Sequence, residues 1–440
     1  MLLFFCSLFI ASFKIYDNTP YVQTEAYRRQ MLLMDSICNM HESYNNSDLL
    51  KVGWAKVNLL PPFTTPIAID AHRGGKHFNG VHDSIYVRAF VFKSGSKKVA
   101  YISADLLIIP STVSSMFDTL MDENGFNREN IFFTATHTHS SIGAWYNSLI
   151  GEKFAGKYDE RVPLHIASCI REAILQAEAN VEPSETGYGT FPTSKLVINR
   201  LVGEKGSVDS MLRVFKIKQT QTGKTAAIIT FAAHATVYHE NMMQLSADWP
   251  GLLVKQLEDS LLVDFACFSA GAVGSHGPCL VSENENEQIV YMATGVRKVL
   301  EESFTAIRCE PLHTSLKMNR MQLYLREPNL RIGAKTALRP WVFKKLFGNE
   351  SVFLLNFTLN NVAFVGTPCD FSGELMYEID SAAMKTNKSV MLTGFNGGYM
   401  GYVTHDRWNQ LNEYETRTMN WFGPESGSYL QHTINRLVAE

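Results

Sequence analysis

Short apolar runs alternate with amphipathic segments of helical period along most of this chain, and that alternation restricts it to the α/β class. Ser84–Phe92 (SIYVRAFVF) is dense in β-branched and aromatic residues and reads as a strand, as does Val99–Ser103, which ends at Asp105. Asp159–Ala177 carries apolar residues at Val162, Ile166, Ile170, Ile174 and Ala177, a helical spacing with Asp159 as the expected N-cap. Ala226–Ala233 (AAIITFAA) reads as a buried strand running into His234. Trp249-Pro250 then opens a helix expected to reach Leu262, and Phe265–Phe268 begins another strand.

The second half echoes the first. Val362–Gly366, leading to Asp370, repeats the texture of Val99–Ser103 leading to Asp105. A helix follows each, then a strand, Ile131–Thr134 in one case and Val390–Thr393 in the other, and both strands break into polar loops. An internal pseudo-repeat of this kind would bring Asp105, His137, Asp370 and Tyr399/Tyr402 near one edge of a sheet, where open α/β folds bind their ligands. The expected architecture is one large catalytic domain over 51–440, with a mixed sheet and flanking helices, preceded by a leader and linking helix over 1–50.

At 440 residues and 45% hydrophobic content, the chain can bury a large core. The formal net charge is -3 and no Lys/Arg block stands out, which argues against a nucleic-acid partner. The seven cysteines are scattered without a CxxC pair, so neither a thiolate metal site nor a dense disulfide framework is signalled. Leu2–Phe13 (LLFFCSLFIASF) is uncharged and apolar but too short to span a bilayer. It fits the apolar part of an export signal or a membrane anchor, although a basic stretch and a clean cleavage site are missing. The expectation is an extracytoplasmic protein, exported or membrane-anchored, working at a membrane surface.

Residues 134–141 read TATHTHSS and follow the apolar run Ile131-Phe132-Phe133. In extended chain, residues two apart share a face, so His137 and His139 can aim both imidazoles into one pocket, a common start for a zinc site. Taken alone, the pair could equally be surface or capping histidines.

The runs NGVHDSIYVRAFVF, KKVAYISADL and NIFFTATHTHSS together resemble the catalytic N-terminal domain of the neutral/alkaline non-lysosomal ceramidases, zinc hydrolases that cleave the amide of N-acyl sphingosine. The resemblance continues through Ile198-Asn199-Arg200, His234, Pro368-Cys369-Asp370-Phe371 and the tyrosine-rich stretch 398–414. It implies zinc ligands at His137, His234, Asp370 and Tyr402, with Asp370 standing where the family has glutamate. It further implies catalytic roles for His139, Arg200 and Tyr414 around the scissile carbonyl. Two departures accompany it. Where the family reads Asn-x-Gly-Asp-Val-Ser-Pro, this chain reads Ala272-Val273-Gly274-Ser275-His276-Gly277-Pro278, so Gly277 takes the serine position. The sequence runs to Glu440, and the family's C-terminal β-sandwich is not expected within it.

These residue types suit the chemistry. Two neutral imidazoles and one carboxylate leave zinc with positive charge and an open position, and zinc lowers the pKa of bound water to roughly 7. Arg200, His139 and Tyr414 are candidates to stabilise an oxyanion, and His139 or Asp105 to pass a proton to the leaving amine. His276 is a further histidine whose glycine-bearing loop is expected to face the pocket. The readings that follow are a ceramidase-like amidohydrolase, a related zinc hydrolase for another amide or ester, and a zinc- or lipid-binding relative without catalysis.

Overall fold

The computed structural model describes residues 11–38, 48–68, 73, 75–121, 124–193, 195–311 and 316–439. Among these residues, twelve strands fall into three groups of identical topology; shorter pairings are given by residue below. The first group is β1 (Lys51–Asn58), β2 (Tyr86–Ser94), β3 (Lys97–Ala104) and β4 (Ile131–Ala135). The second is β5 (Glu182–Pro192), β6 (Met211–Gln219), β7 (Thr225–Phe231) and β8 (Phe265–Ala270). The third is β9 (Leu316–Gln322), β10 (Phe353–Leu359), β11 (Val362–Gly366) and β12 (Ser389–Thr393). In each, the first three strands run antiparallel and the fourth returns parallel to the third. A parallel return needs a crossover. Helix α3 (Asp248–Asp259) supplies it in the second group and α5 (Met376–Lys385) in the third, while two single-turn helices, Ser111–Ser114 and Phe117–Leu120, serve the first. The echo read between the first and third groups therefore has a third member in the middle of the chain.

Groups one and two form a single sheet, joined where β1 pairs antiparallel with β5; group three is a separate four-stranded sheet. The large sheet coils until its two halves meet. Ser103 on β3 donates to the Phe268 carbonyl on β8 at 2.6 Å, and the Tyr101 hydroxyl meets Ser269 Oγ at 2.7 Å. Aromatic rings then weld the small sheet to the large one: Phe364 lies 5.1 Å from Phe215, 5.7 Å from Tyr101 and 6.4 Å from Phe132, ring centre to ring centre. Helix α2 (Arg161–Ala179) covers β1 and β2, and α4 (Glu285–Ser303) packs on α3. The expected helix over 159–177 thus forms two residues later, with the Asp159 side chain accepting from the Arg161 amide at 3.0 Å.

The boundary expected at residue 50 does not separate a linker from the body. Helix α1 (Glu25–Cys38) buries Met34 and Gln30 against the third group and α6 (Ser426–Ala439). Tyr21 stacks on Tyr429 at 4.1 Å, and the buried Gln30 amide oxygen accepts from the Tyr324 backbone N–H at 2.9 Å. Phe13–Ile15 pairs antiparallel with Thr336–Leu338. The rest of the apolar leader, residues 1–10, lies outside the described residues. No described helix is long and apolar enough to cross a membrane.

Because Phe364 is fully buried at the junction of the two sheets, Phe364→Ala should destabilise the protein by about 3–5 kcal/mol in a denaturant titration, with Phe364→Leu less affected. A loss under about 1 kcal/mol for the alanine variant would mean that the sheets are held together elsewhere.

Candidate functional site

Most candidate site residues follow the C-terminal ends of four of the parallel-paired strands. His137 and His139 lie beyond β4, His234 beyond β7, Asp370 beyond β11, and Phe395, Tyr399 and Tyr402 beyond β12. After β4 the chain keeps pairing for two residues, Thr136 N–H to the Ala104 carbonyl and His137 N–H to that of Leu106. His137 then turns into the left-handed region at φ 63°. For a residue with a Cβ this costs about 1–2 kcal/mol. Two contacts hold it there: its ring stacks on Phe395 at 3.9 Å and 1°, and its Nδ1 lies 2.7 Å from the Leu107 carbonyl.

His234 is fully buried, its Nδ1 2.8 Å from the His276 carbonyl, and its own carbonyl accepts from Trp249 Nε1 at 3.0 Å. Asp370 is brought in by parallel pairing with Tyr402. Here Gly274 is required, because a Cβ at that position would lie 2.2 Å from the Asp370 carbonyl. The loop after β8 therefore lies directly under the loop after β11.

The polar atoms converge. Asp370 Oδ1 is 3.3 Å from His137 Nε2 and 3.2 Å from His234 Nε2, and the Tyr402 hydroxyl is 3.4 Å from His234 Nε2. His139 belongs to the same cluster, its ligating nitrogen lying within 4.8 Å of those of His137 and His234. A carbonyl only accepts, so both Nδ1 atoms facing carbonyls carry a proton, and both Nε2 atoms are turned toward Asp370. Burial pushes the His234 imidazole down to about 3, and His139 well below its ordinary value, so both are neutral near pH 7. The lone pair of the neutral His234 imidazole then faces a carboxylate oxygen, an arrangement that a cation between them would relieve. His137 Nε2, His139 Nε2 and Asp370 Oδ1 are buried without a hydrogen-bond partner. The spacing fits such an ion: metal–ligand bonds of about 2.0–2.1 Å at tetrahedral angles put ligand atoms about 3.3 Å apart.

Neighbouring groups orient this set. The Tyr399 hydroxyl donates to Asp370 Oδ2 at 2.6 Å. Arg200 Nη2 donates to the Tyr402 hydroxyl at 3.1 Å, and Arg200 Nε to Glu415 Oε1 at 3.0 Å. Burial raises the Tyr402 and Tyr399 phenols well above their usual range, and the Asp370 charge adds to it, so both remain protonated donors. Glu415 sits on a π-helical turn, Tyr414–Thr418, a distortion that often marks functional segments. Tyr414 stands at the rim, 45% exposed, with its ring edge-on to Tyr402 at 5.6 Å. An apolar cavity of about 600 Å³ opens onto the cluster, walled by Leu107, Ile108, Trp145, Phe154, Met419 and Trp421.

Two expected positions differ. Asp105 is buried but does not line the cavity; its carboxylate accepts the Tyr86 backbone N–H at 2.8 Å, fastening β2 to the loop after β3. Burial raises its carboxyl to about 6. The His276 ring also turns away from the cavity. It lies 3.0 Å from Ser275 Oγ and accepts the Asp209 amide at 3.1 Å, and only its carbonyl serves the site, through His234. Ser275 is fully buried, its hydroxyl 2.5 Å from that of Ser372, and it too lies off the cavity wall. Gly277 by contrast pairs with Ile198, and a Cβ there would lie 3.5 Å from Arg200 Cδ. The residues that sequence reasoning missed are Phe395 and Glu415; Tyr399 is expected at the sheet edge, but not as the donor to Asp370. Only adjacency to Tyr414 and Tyr402, or the repeat itself, which sets Phe395 two residues past β12 as His137 is two past β4, carried any signal for them.

The family profile for neutral/alkaline non-lysosomal ceramidase, N-terminal, matches residues 73–284. Neutral ceramidase B of Dictyostelium discoideum is 27% identical over 215 residues, 45% of this chain and 29% of that protein. Neutral ceramidase of Pseudomonas aeruginosa is 23% identical over 177 residues, 36% of this chain and 26% of that protein. These alignments span under a third of either relative's length. The crystal structure of the Pseudomonas aeruginosa neutral ceramidase superposes with a TM-score of 0.75 at 18% identity, covering 89% of this chain and 74% of that one. A ceramidase complexed with C2 gives 0.75 at 17% identity, covering 89% and 75%. The structural likeness is one of fold.

Tyr399→Phe removes the donor to Asp370 Oδ2 without changing shape. It should weaken divalent-metal affinity about 10–100-fold, the usual effect of losing a group that orients a ligand. Competition against a chromophoric chelator measures it, and unchanged affinity would remove Tyr399 from the site.

Proposed function

We propose that this chain, which matches the neutral/alkaline non-lysosomal ceramidase profile over residues 73–284 and shares the fold of the Pseudomonas aeruginosa neutral ceramidase, is a zinc-dependent amidohydrolase cleaving the N-acyl amide of a ceramide-like amphiphile. The observation that carries the reading is the buried, partnerless convergence of His137 Nε2, His139 Nε2 and Asp370 Oδ1 at the foot of an apolar cavity. His137, His234, Asp370 and Tyr402 would hold the ion. Zinc there supplies Lewis acidity, polarising the amide carbonyl and acidifying water.

The chain's own residues do the rest. The cavity takes the hydrocarbon and aligns the amide with the cluster. Arg200 and the protonated Tyr402 direct N–H and O–H groups toward the carbonyl oxygen as charge develops on it, and one such donor is typically worth about 3 kcal/mol. Tyr414 at the rim is placed to close over the bound amide. His139, neutral and with Nε2 unpaired, takes a proton from the attacking water and returns it to the amine as the C–N bond breaks. Asp105 is set aside as the proton carrier because its carboxylate is engaged with the Tyr86 amide away from the cavity. Water is the nucleophile: Gly277 has no side chain, and the Ser275 hydroxyl is buried against Ser372. The space that Gly277 leaves beside Arg200 favours, as a second reading, a related amide or ester of different bulk.

An amphiphilic substrate points to a membrane or micelle surface. The apolar run 2–13 and the exposed Leu149 and Trp341, on helices that meet beside the cavity, support work at such a surface outside the cytoplasm.

The test is steady-state hydrolysis of a short-chain N-acyl sphingosine with zinc quantified in each variant. Asp370→Ala should lose both metal and activity. His139→Ala should keep zinc yet lose about 100-fold or more in kcat, whereas Ser275→Ala should retain most of the rate. Loss of zinc in His139→Ala would reassign it as a ligand. An acyl-enzyme trapped on Ser275 would overturn attack by water, and a zinc-loaded protein inert toward every N-acyl amine would favour the non-catalytic reading.

A further inference from the structure

His139 stands between two compartments. It lines the apolar cavity and also a separate recess of about 390 Å³, whose other walls include Arg73, Thr236, His239, Glu240 and Asn241. The two compartments differ in kind, one walled by hydrocarbon and aromatic rings, the other by charged and polar groups. Arg73, only 2% exposed, shapes the recess. Its guanidinium donates to the His139 carbonyl at 2.6 Å, the His239 carbonyl at 2.5 Å and the Glu240 carbonyl at 3.2 Å. It thereby ties the loop bearing His137 and His139 to the loop that follows His234, at a fixed separation.

Amide hydrolysis consumes one water per turnover, RCO–NHR′ + H2O giving RCOOH and H2NR′. An amphiphile that fills the apolar cavity expels the water there and blocks its return along the same path. We propose that the polar recess is the inlet by which water reaches His139 and the metal cluster while the apolar cavity is occupied. This rests on the hydrolase reading above. A hydrated divalent cation, excluded from an apolar passage by its desolvation cost, uses the same inlet, which provides a readout independent of turnover.

The experiment fills the recess from its exposed rim with the series Asn241→Ala, Asn241→Leu and Asn241→Trp, and from a neighbouring position with Glu240→Trp. kcat on a short-chain N-acyl sphingosine should fall in order of side-chain volume, about fivefold or more for the tryptophan variants, with KM within about twofold. Final zinc content should stay at the parent value, while the rate of Zn2+ uptake by the metal-free protein slows in the same order. Tryptophan variants that keep parental kcat and parental zinc-uptake rate would overturn the inlet, as would an alanine variant impaired as severely as the tryptophan one. A parent that binds zinc and cleaves no amide would defeat the hydrolase reading alone, and the inlet would then stand or fall on the uptake rates.

Discussion

Asp370 Oδ1 lies between His137 Nε2 and His234 Nε2, at 3.3 and 3.2 Å, in a fully buried position. Placing a carboxylate where water cannot reach it is costly, and leaving it against the His234 lone pair costs more. The surrounding structure is built to make that arrangement persist. Backbone carbonyls of Leu107 and His276 orient both imidazoles, Tyr399 satisfies the second carboxylate oxygen, and Arg200 with Glu415 holds Tyr402. A divalent cation bound there would turn this locally unfavourable geometry into a favourable one. The energy it releases on binding is then partly the relief of repulsion already present in the fold.

Three copies of one strand topology explain how ligands from distant sequence meet. Each group ends in a parallel pair, and chain leaving the carboxyl ends of parallel strands emerges at one edge. The first group contributes His137 and His139, the second His234 and the loop that carries Gly274, and the third Asp370, Phe395, Tyr399 and Tyr402. The stack of His137 on Phe395 joins residues that occupy equivalent places in the first and third groups, both at positive φ. Coiling of the large sheet and the aromatic weld around Phe364 set the three edges against one another, so ligand geometry depends on core packing some distance from the cluster.

The same architecture separates polar from apolar access. The loop after β8 is spent on backbone pairing with 197–199 and on carrying the His276 carbonyl, which buries Ser275 and leaves only Gly277 beside Arg200. In the proposed hydrolase, attack by water would follow from that loss of side-chain nucleophiles, and a site that consumed water while holding a hydrocarbon chain would gain from two compartments whose walls share His139.

Much was legible in the sequence because it depends on local pattern. Strand and helix periods gave the α/β class and most elements to within two residues, as at 161–179 and 265–270. The echo of Val99–Ser103 in Val362–Gly366 announced a repeated unit, and THTH beyond an apolar strand marked paired imidazoles. Its middle member went unread, since the loops and helices between its strands differ in length from the others. Tertiary structure alone decided what each polar side chain faces. Asp105 and Asp370 follow equivalent strands, yet one carboxylate is taken by the Tyr86 amide and the other by the imidazoles. His276 sits in a glycine loop near the site, yet offers it a carbonyl rather than a ring. Burial and orientation arise from how three sheet edges are brought together, a property of packing over hundreds of residues that no local spacing encodes.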